Sequence, residues 1–351
     1  FLSQDCANNV IDNNNITNFT DGIHLLDNCT FNSIQQNTVE NCSSAGIYSL
    51  GATTRYNNNN SFIGNFVLNS GFGIYCYRAS SCNIEDNFIK NSTNSGIRLD
   101  RAEYGDIINN TAIENGYAGI LVLSYSESHN IKENNASSNE IGISIYSGYN
   151  NITKNIIFNN SYNGIRLDRI STSCVWNYIY KNALINNSIN AFQAANAVNN
   201  HWNTSRFGNY WSHYNGTDGD GDGIGDILLN ITEREEAADF MPIVGVFFHN
   251  GSAIAIDGDG TNGITWEHAA TRYWCDGNGT ETSPYIIDGL SINGQNSSEG
   301  VHIETSSVYY RVQNCQIFNS SGSGVYGYGI RLLGAHNGII INNSIMDNGY
   351  E

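Results

Sequence analysis

Apolar and polar residues alternate in this chain in short bursts, and the bursts return at a fixed interval. The pattern is Ile-x-x-Asn-x-(Ile/Val/Leu/Phe/Ala), followed six or seven residues later by Gly-Ile-x-Leu, and it recurs about every 22 to 24 residues. Its asparagines stand at Asn14, Asn37, Asn87, Asn110, Asn134 and Asn155, with looser copies at Asn65 and Asn182. Its glycines stand at Gly22, Gly46, Gly73, Gly96, Gly119, Gly142 and Gly164. Short alternating stretches at this period, with Gly and Asn at the corners and only two prolines, mark a parallel β-helix with one rung per period. Helical repeats would need continuous amphipathic runs of about ten residues or more, and none occurs. The expected class is all-β, a right-handed parallel β-helix.

In such a coil three short strands turn around a triangular core. Each strand pairs in parallel with its counterparts about 4.8 Å above and below, so a residue type repeated at one position becomes a ladder. Ile and Leu are expected inside. Asn at a corner tolerates left-handed backbone angles, and its amide can bond the Asn of the next rung. Gly is expected where the backbone turns sharply into the next strand. An Asn-rich disordered tract would not keep Ile in register with Asn over successive periods.

The period also divides the chain. Residues 1–200 read as parallel β-helix, and residues 284–351 resume it. Between them, residues 201–283 break the period and read as an aromatic-rich, calcium-binding insert or cap, with Trp202, Phe207, Tyr210, Trp211 and Tyr214 clustered near its start. Both ends fall inside a rung: one rung length of about 22 residues would carry Asn343, past Tyr350 and Glu351, to Phe1, Leu2 and Asn14 of a second copy. Unpaired parallel edges recruit other chains. The expectation is end-to-end continuation at these six residues, as tandem repeats or as a filament of identical copies.

With 33 acidic against 15 basic residues the net charge is −18, which argues against a nucleic-acid partner or a basic membrane-binding patch. No run of about 20 apolar residues is present to span a bilayer. Glycosylation sequons, among them those at Asn15, Asn41, Asn91, Asn151, Asn186, Asn215, Asn278 and Asn342, together with eight cysteines and no Cys-x-x-Cys spacing, read as an extracellular or cell-surface glycoprotein. Cys6 and Cys29 should stack on neighbouring rungs within disulfide range, and Cys76 and Cys82 flank one corner. Each pair reads equally as a bridge or as two buried thiols.

The strongest chemical signal is Asp218-Gly-Asp220-Gly-Asp222-Gly-Ile224-Gly-Asp226. Carboxylates at alternate positions, separated by glycines that let the backbone curl, suit one Ca²⁺, with the Ile224 carbonyl as a further ligand. The twelfth position is Leu229 where an EF-hand has a bidentate Glu, which leaves Glu233 or Glu235 to complete the shell. A second stretch, Asp257-Gly-Asp259-Gly-Thr261-Asn262, repeats the pattern more weakly.

The run from Gly208 to Asp226, following Asn and Gly rungs, resembles the NosD-like right-handed β-helix proteins, built from PbH1 repeats and abundant on archaeal cell surfaces. The segment Gly277–Gly289 is similar to the way such helices begin. That resemblance implies the fold; for function it admits surface and adhesive proteins, polysaccharide-active enzymes and accessory proteins of copper-enzyme assembly. The eight histidines stand singly, with no His-x-His spacing and only two methionines, so no copper site is visible. Two copies of Gly-Ile-Arg-Leu-Asp-Arg, at Arg98-Asp100-Arg101 and Arg166-Asp168-Arg169, are the candidates for catalysis. They lie three rungs apart, so their carboxylates are separated by roughly 14 Å, too far for a glycosidase pair. They read more simply as corner ion pairs. The sequence therefore suggests a non-enzymatic structural subunit of an extracellular filament or surface assembly, partnered by copies of itself and by surface glycans. The alternative is a polysaccharide-binding or lyase-type polysaccharide-degrading β-helix protein.

Overall fold

The computed structural model describes residues 1–168, 174–220, 222–231, 237–245, 251–294, 299–321 and 327–349. Arg169, Glu233, Glu235, Tyr350 and Glu351, named above, lie outside the described residues. The chain forms two compact units, Phe1–Asn215 with Ile227–Pro242, and Gly216–Asp226 with Ile243–Glu351.

The first unit is a parallel β-solenoid of three sheets. Its first sheet holds nine strands, from Leu2–Ser3 through Asp21–Leu26, Ala45–Leu50, Phe72–Tyr77 and Ile97–Asp100 to Ile189–Gln193. The second holds eight strands, from Val10–Asp12 to Tyr178–Tyr180, and the third nine, from Asn15–Thr17 to Tyr210–Trp211. Each rung sends one or two apolar side chains inward from every sheet, for example Ile23, Leu25, Ile34 and Val39, all at most 2% exposed. Burying each such side chain is worth about 1.5–3 kcal/mol, and identical neighbours above and below keep the stack free of voids.

Corners carry the polar ladders. Asn110 illustrates one: its Nδ2 donates to Asn134 Oδ1 (3.0 Å), Ile84 O (2.8 Å) and Ile108 O (3.0 Å), while its Oδ1 accepts from Asn87 N and Nδ2. The expected left-handed backbone belongs to a different residue. Asn13, Gln36, Gly64, Asp86, Asn109, Glu133, Lys154 and Lys181, each immediately before a ladder Asn, have positive φ, and the ladder Asn does not. Gly also plays another part than expected. None of Gly22, Gly46, Gly73, Gly96, Gly119, Gly142 and Gly164 has positive φ. A Cβ on Gly119 would instead lie 2.8 Å from both Gly142 O and Asn139 Nδ2, so this column is glycine because rungs approach too closely for anything larger.

His129 occupies an Asn position of a second ladder. Its backbone N donates to Asn150 Oδ1, Gly105 N donates to its Nδ1 (3.0 Å), and its Nε2 lies 2.7 Å from Ala102 O. A neutral imidazole with its proton on Nε2 thus reproduces the acceptor and donor of an amide. Burial pushes this histidine down to about 4. Ladder spacing stretches from 21–24 residues to 28 between Asn37 and Asn65 and to 27 between Asn155 and Asn182. In the first of these the extra residues sit between strands Ala45–Leu50 and Ser61–Ile63, at one corner.

The stretch 201–283 is not one module. Tyr210–Trp211 is the last strand of the third sheet, and Trp202 and Trp211 are buried in the core of the first unit. Asp239 ends the ladder there: Asn182 N donates to Asn209 Oδ1, and Asn209 N and Trp211 Nε1 donate to Asp239 Oδ2 (2.7 and 2.8 Å). Burial raises the Asp239 carboxyl to about 6 despite these donors. Residues 216–226 and those from 243 onwards lie in the second unit, whose parallel strands include Ile254–Asp257, Glu299–Glu304 and Tyr328–Leu333. Its five-residue helix Trp266–Ala270 is capped by Thr265, and Trp266 stacks on Tyr285 and Tyr310.

Candidate functional site

All eight cysteines are free thiols. Cys6 and Cys29 stack on consecutive rungs, next to the Ala7–Thr30 bridge, but each Sγ faces a carbonyl three residues earlier, Ser3 O and Leu26 O. Cys76 and Cys82 face each other in the core, also as thiols. Of the sequon asparagines, Asn15, Asn41, Asn91, Asn186, Asn215, Asn278 and Asn342 are exposed and Asn151 is half-buried. Asn14 bonds Asn37, and Asn343 accepts from Cys315 N, so both are ladder members within their own units.

In the acidic loop, ligand oxygens of Asp218, Asp220 and Asp222 lie within 4.8 Å of one another. Asp226 turns to the loop itself, accepting from Gly219 N (2.8 Å) and Thr217 Oγ1, and Ile224 N donates to Asp222. The weaker stretch folds into the same kind of curl, with Asn262 N donating to Asp257 Oδ2 (2.8 Å).

The chemistry that sequence reasoning passed over lies on the outward face of the first sheet. Register stacks the x of each Gly-Ile-x-Leu into one column: His24, Tyr48, Tyr75, Arg98, Leu121, Ser144, Arg166 and Phe192. His24 Nδ1 lies 3.0 Å from Asp21 Oδ2, and its Nε2 has no hydrogen-bond partner. Its ring lies 4.9 Å from Tyr48, which stacks at 4.9 Å on Tyr75. Arg98 covers the rings of Tyr75 (4.7 Å) and Phe72 (5.1 Å) and pairs with Asp100 at 3.4 Å. Burial, reinforced by the Asp21 charge, raises the Tyr48 hydroxyl, and burial raises Tyr75 further, so both stay protonated. Further along, Arg166 pairs with Asp168 (2.6 Å), and the Tyr117 and Tyr146 hydroxyls meet at 3.4 Å. At the far end of this sheet a groove of about 400 Å³ is lined by Asn190, Trp211 and His213 among others, away from His24. We place the chemistry at His24, because an unpaired base beside protonated donors is a chemical feature and concavity alone is not.

Parallel coils of three strands presenting such a face define a parallel β-helix protein. The model of the family described as periplasmic copper-binding protein (NosD) matches residues 49–216. Over that stretch, a little under half of its length, the chain is NosD-like, and its fold is a parallel β-helix. No curated protein matches it in sequence. Among solved structures it resembles the A-module of a mannuronan C-5 epimerase from Azotobacter vinelandii, at 13% identity over 93% of this chain and 68% of that one, TM-score 0.42. It also resembles a periplasmic alginate epimerase, at 11% identity over 92% and 61% with TM-score 0.38, and a pectate lyase, at 11% over 93% and 70% with TM-score 0.33. The non-enzymatic reading is corrected at this point, since these structures are polysaccharide epimerases and lyases. Neither the structure nor the comparisons lend support to the filament.

Among the described residues copper finds no cluster of soft donors. Among the described residues the one group of three or more His, Cys, Asp or Glu side chains with converging ligand atoms is Asp218, Asp220 and Asp222, whose hard oxygens suit calcium or magnesium. Among the described residues no helix is long and apolar enough to cross a membrane.

Proposed function

We propose that the protein acts on a polysaccharide lying along the outward face of the first sheet, by proton transfer and not by hydrolysis. One observation carries the reading: His24, held through Nδ1 by Asp21, has a buried Nε2 with no hydrogen-bond partner beside the protonated Tyr48, and the exposed Phe1 ring, 5.2 Å from the imidazole, has to swing aside for a sugar to reach it. For a uronate sugar, His24 takes the proton α to the carboxylate and Tyr48 protonates the departing glycosidic oxygen. The C–H and C–O bonds break, a C=C bond forms, and Arg98, farther along the column, is placed to hold a carboxylate of the same chain. Hydrolysis is disfavoured because Asp100 and Asp168 are three rungs, roughly 14 Å, apart. The test is incubation with polygalacturonate and alginate, following the ultraviolet absorbance of unsaturated product. Wild type should generate it, and His24→Ala and Tyr48→Phe should each lower the rate at least about 100-fold. Absence of both product and binding by wild type would sink the proposal.

We further propose that Asp218, Asp220 and Asp222 bind Ca²⁺, with the Ile224 carbonyl as a further ligand and Asp226 bracing the loop, and that the protein works outside the cytoplasm, carrying glycans on its exposed sequons. The convergence of the three carboxylates supports the first. The periplasmic description of the matching family and the exposure of seven of the eight sequon asparagines support the second.

A further inference from the structure

Five aromatic residues of the first unit adopt left-handed backbone conformations: Phe31 (φ 57°), Tyr104 (58°), Tyr125 (62°), Tyr149 (62°) and Trp176 (56°). For a bulky side chain this is an outlier, and Asn or Gly is the unstrained choice. All five are exposed, at 60, 65, 51, 55 and 42%. Packing into the core therefore does not account for them. Four of the five fall on one corner column, before the strands of the second sheet. Backbone bonds Tyr104 N to Glu127 O, Tyr149 N to Val175 O and Trp176 N to Asn199 O place them on successive rungs with Ser128 and Asn199. Tyr149 and Trp176 are one rung apart, about 5 Å, and Tyr104 and Tyr149 two rungs, about 10 Å. The other positions of this column, Asn8, Asn59, Ser81, Ser128 and Asn199, are small and polar.

Two further features adjoin the row. A groove of about 310 Å³ is lined by Tyr56, Arg101, Glu103 and Tyr125, with the Arg101 guanidinium 5.6 Å over the Tyr125 ring. At the other end, the His201 ring lies 5.8 Å from Trp176 and 4.7 Å from Tyr178, and its Nε2 has no hydrogen-bond partner. Strained aromatics held in solvent, with one buried and unpartnered imidazole nitrogen beside them, are a mark of function, not of stability.

We propose that this corner is a second glycan-binding surface, separate from the outward face of the first sheet, whose aromatic row stacks on the apolar faces of sugars in an uncharged polysaccharide chain. Glu103 and Glu127 stand together beside Tyr104, and their acidic side chains turn away a polyanion at this corner. Flat rings spaced along an axis suit a linear polymer of flat, hydroxyl-rimmed units, and Arg101, Glu103, Ser128 and Asn199 supply hydrogen-bond partners for those hydroxyls. The inference stands independently of the chemistry assigned to His24.

The test is affinity electrophoresis in native gels cast with hydroxyethylcellulose, galactomannan or laminarin, paired with thermal unfolding. The variant is Tyr149→Asn with Trp176→Asn, because Asn accepts positive φ. Wild type should be retarded by at least one of these polymers. The double variant should lose at least tenfold in affinity with an unchanged or raised Tm, and His24→Ala should be retarded like wild type. No retardation of wild type, equal retardation of the double variant, or a lower Tm for it would each overturn the proposal, the last by showing that the rings are kept for packing. Loss of retardation in His24→Ala as well would move binding to the first sheet.

Discussion

Replacing His129 by Asn should remove the pH dependence of stability at one buried site and so reverse the order of stability of the two proteins between neutral and acid pH. The imidazole is neutral in the fold and is held down to about 4, against 6.5 for the free side chain, because burial penalises its charged form. A lowered folded value means that the unfolded chain binds the proton first. The stability that the neutral form contributes is whole above pH 6.5, declines as pH falls from 6.5 towards 4, and changes no further below that. About 2.5 pH units at 1.36 kcal/mol each give roughly 3 kcal/mol for the full excursion. Asp106, whose charge acts on the imidazole in the opposite direction, is present in both proteins. So is Asp239, raised to about 6, whose contribution has the opposite sign and grows as pH falls from 6 towards 3.8. Both cancel in the difference between variant and wild type. The amide introduced by His129→Asn keeps an acceptor for Gly105 N but fills less space, which should cost about 1 kcal/mol at pH 7.5. The assay is urea unfolding followed by circular dichroism between pH 7.5 and 4.2, comparing midpoints at equal m. The variant should be the weaker protein at pH 7.5 and the stronger one near pH 4.2, with the difference moving by about 2–3 kcal/mol. A difference constant within about 0.5 kcal/mol would mean that His129 is not a buried neutral group.

Asn110→Ala removes the side-chain acceptor of Asn87 N in the buried ladder, together with the bonds its own amide donates to Asn134, Ile84 and Ile108, and should cost about 2–4 kcal/mol, whereas the exposed Asn14→Ala should cost about 1 or less; equal urea midpoints for the two would refute the ladder account. Gly119→Ala drives a Cβ against Gly142 O and should lose about 1–3 kcal/mol by the same measurement, although it adds helix propensity and apolar surface. Chelation should lower the thermal midpoint of a wild-type preparation saturated with calcium and leave the Asp220→Ala, Asp222→Ala double variant unchanged; titration calorimetry finding no calcium binding to wild type would remove the ion.

Period and class were legible because a rung repeats the same few side chains at the same places, and Ile23, Ile34 and Val39 are inside as their spacing requires. The roles of individual residues were less so. Asn and Gly were each given a turn-making part that belongs, for the ladder, to the residue before Asn, and for Gly is replaced by close approach of neighbouring rungs. His129 was unreadable as an amide surrogate, since only its contacts to Gly105 and Ala102 reveal it. The Asp21, His24 and Tyr48 site was within reach: aligning every Gly-Ile-x-Leu and reading x down the column exposes it, but the duplicated Arg-Leu-Asp strings drew attention first. The aromatic cluster at Trp202–Tyr214 was read as foreign because its period lapses, yet Trp211 continues the third sheet and Asp239, far off in sequence, ends its ladder.

The corner between the first and second sheets, where a rung swells from the usual spacing to 28 residues while its ladder asparagines stay bonded, bears on how such a chain can change over generations. A duplicated or deleted length of coding sequence that matches one rung brings its own donor and acceptor with it, so the copies on either side close over the seam with no new interface to invent. Insertions at the swelling corner leave the three sheets in step. Reach along the axis is therefore heritable in whole steps of about 4.8 Å, while the chemistry at any one rung can drift on its own.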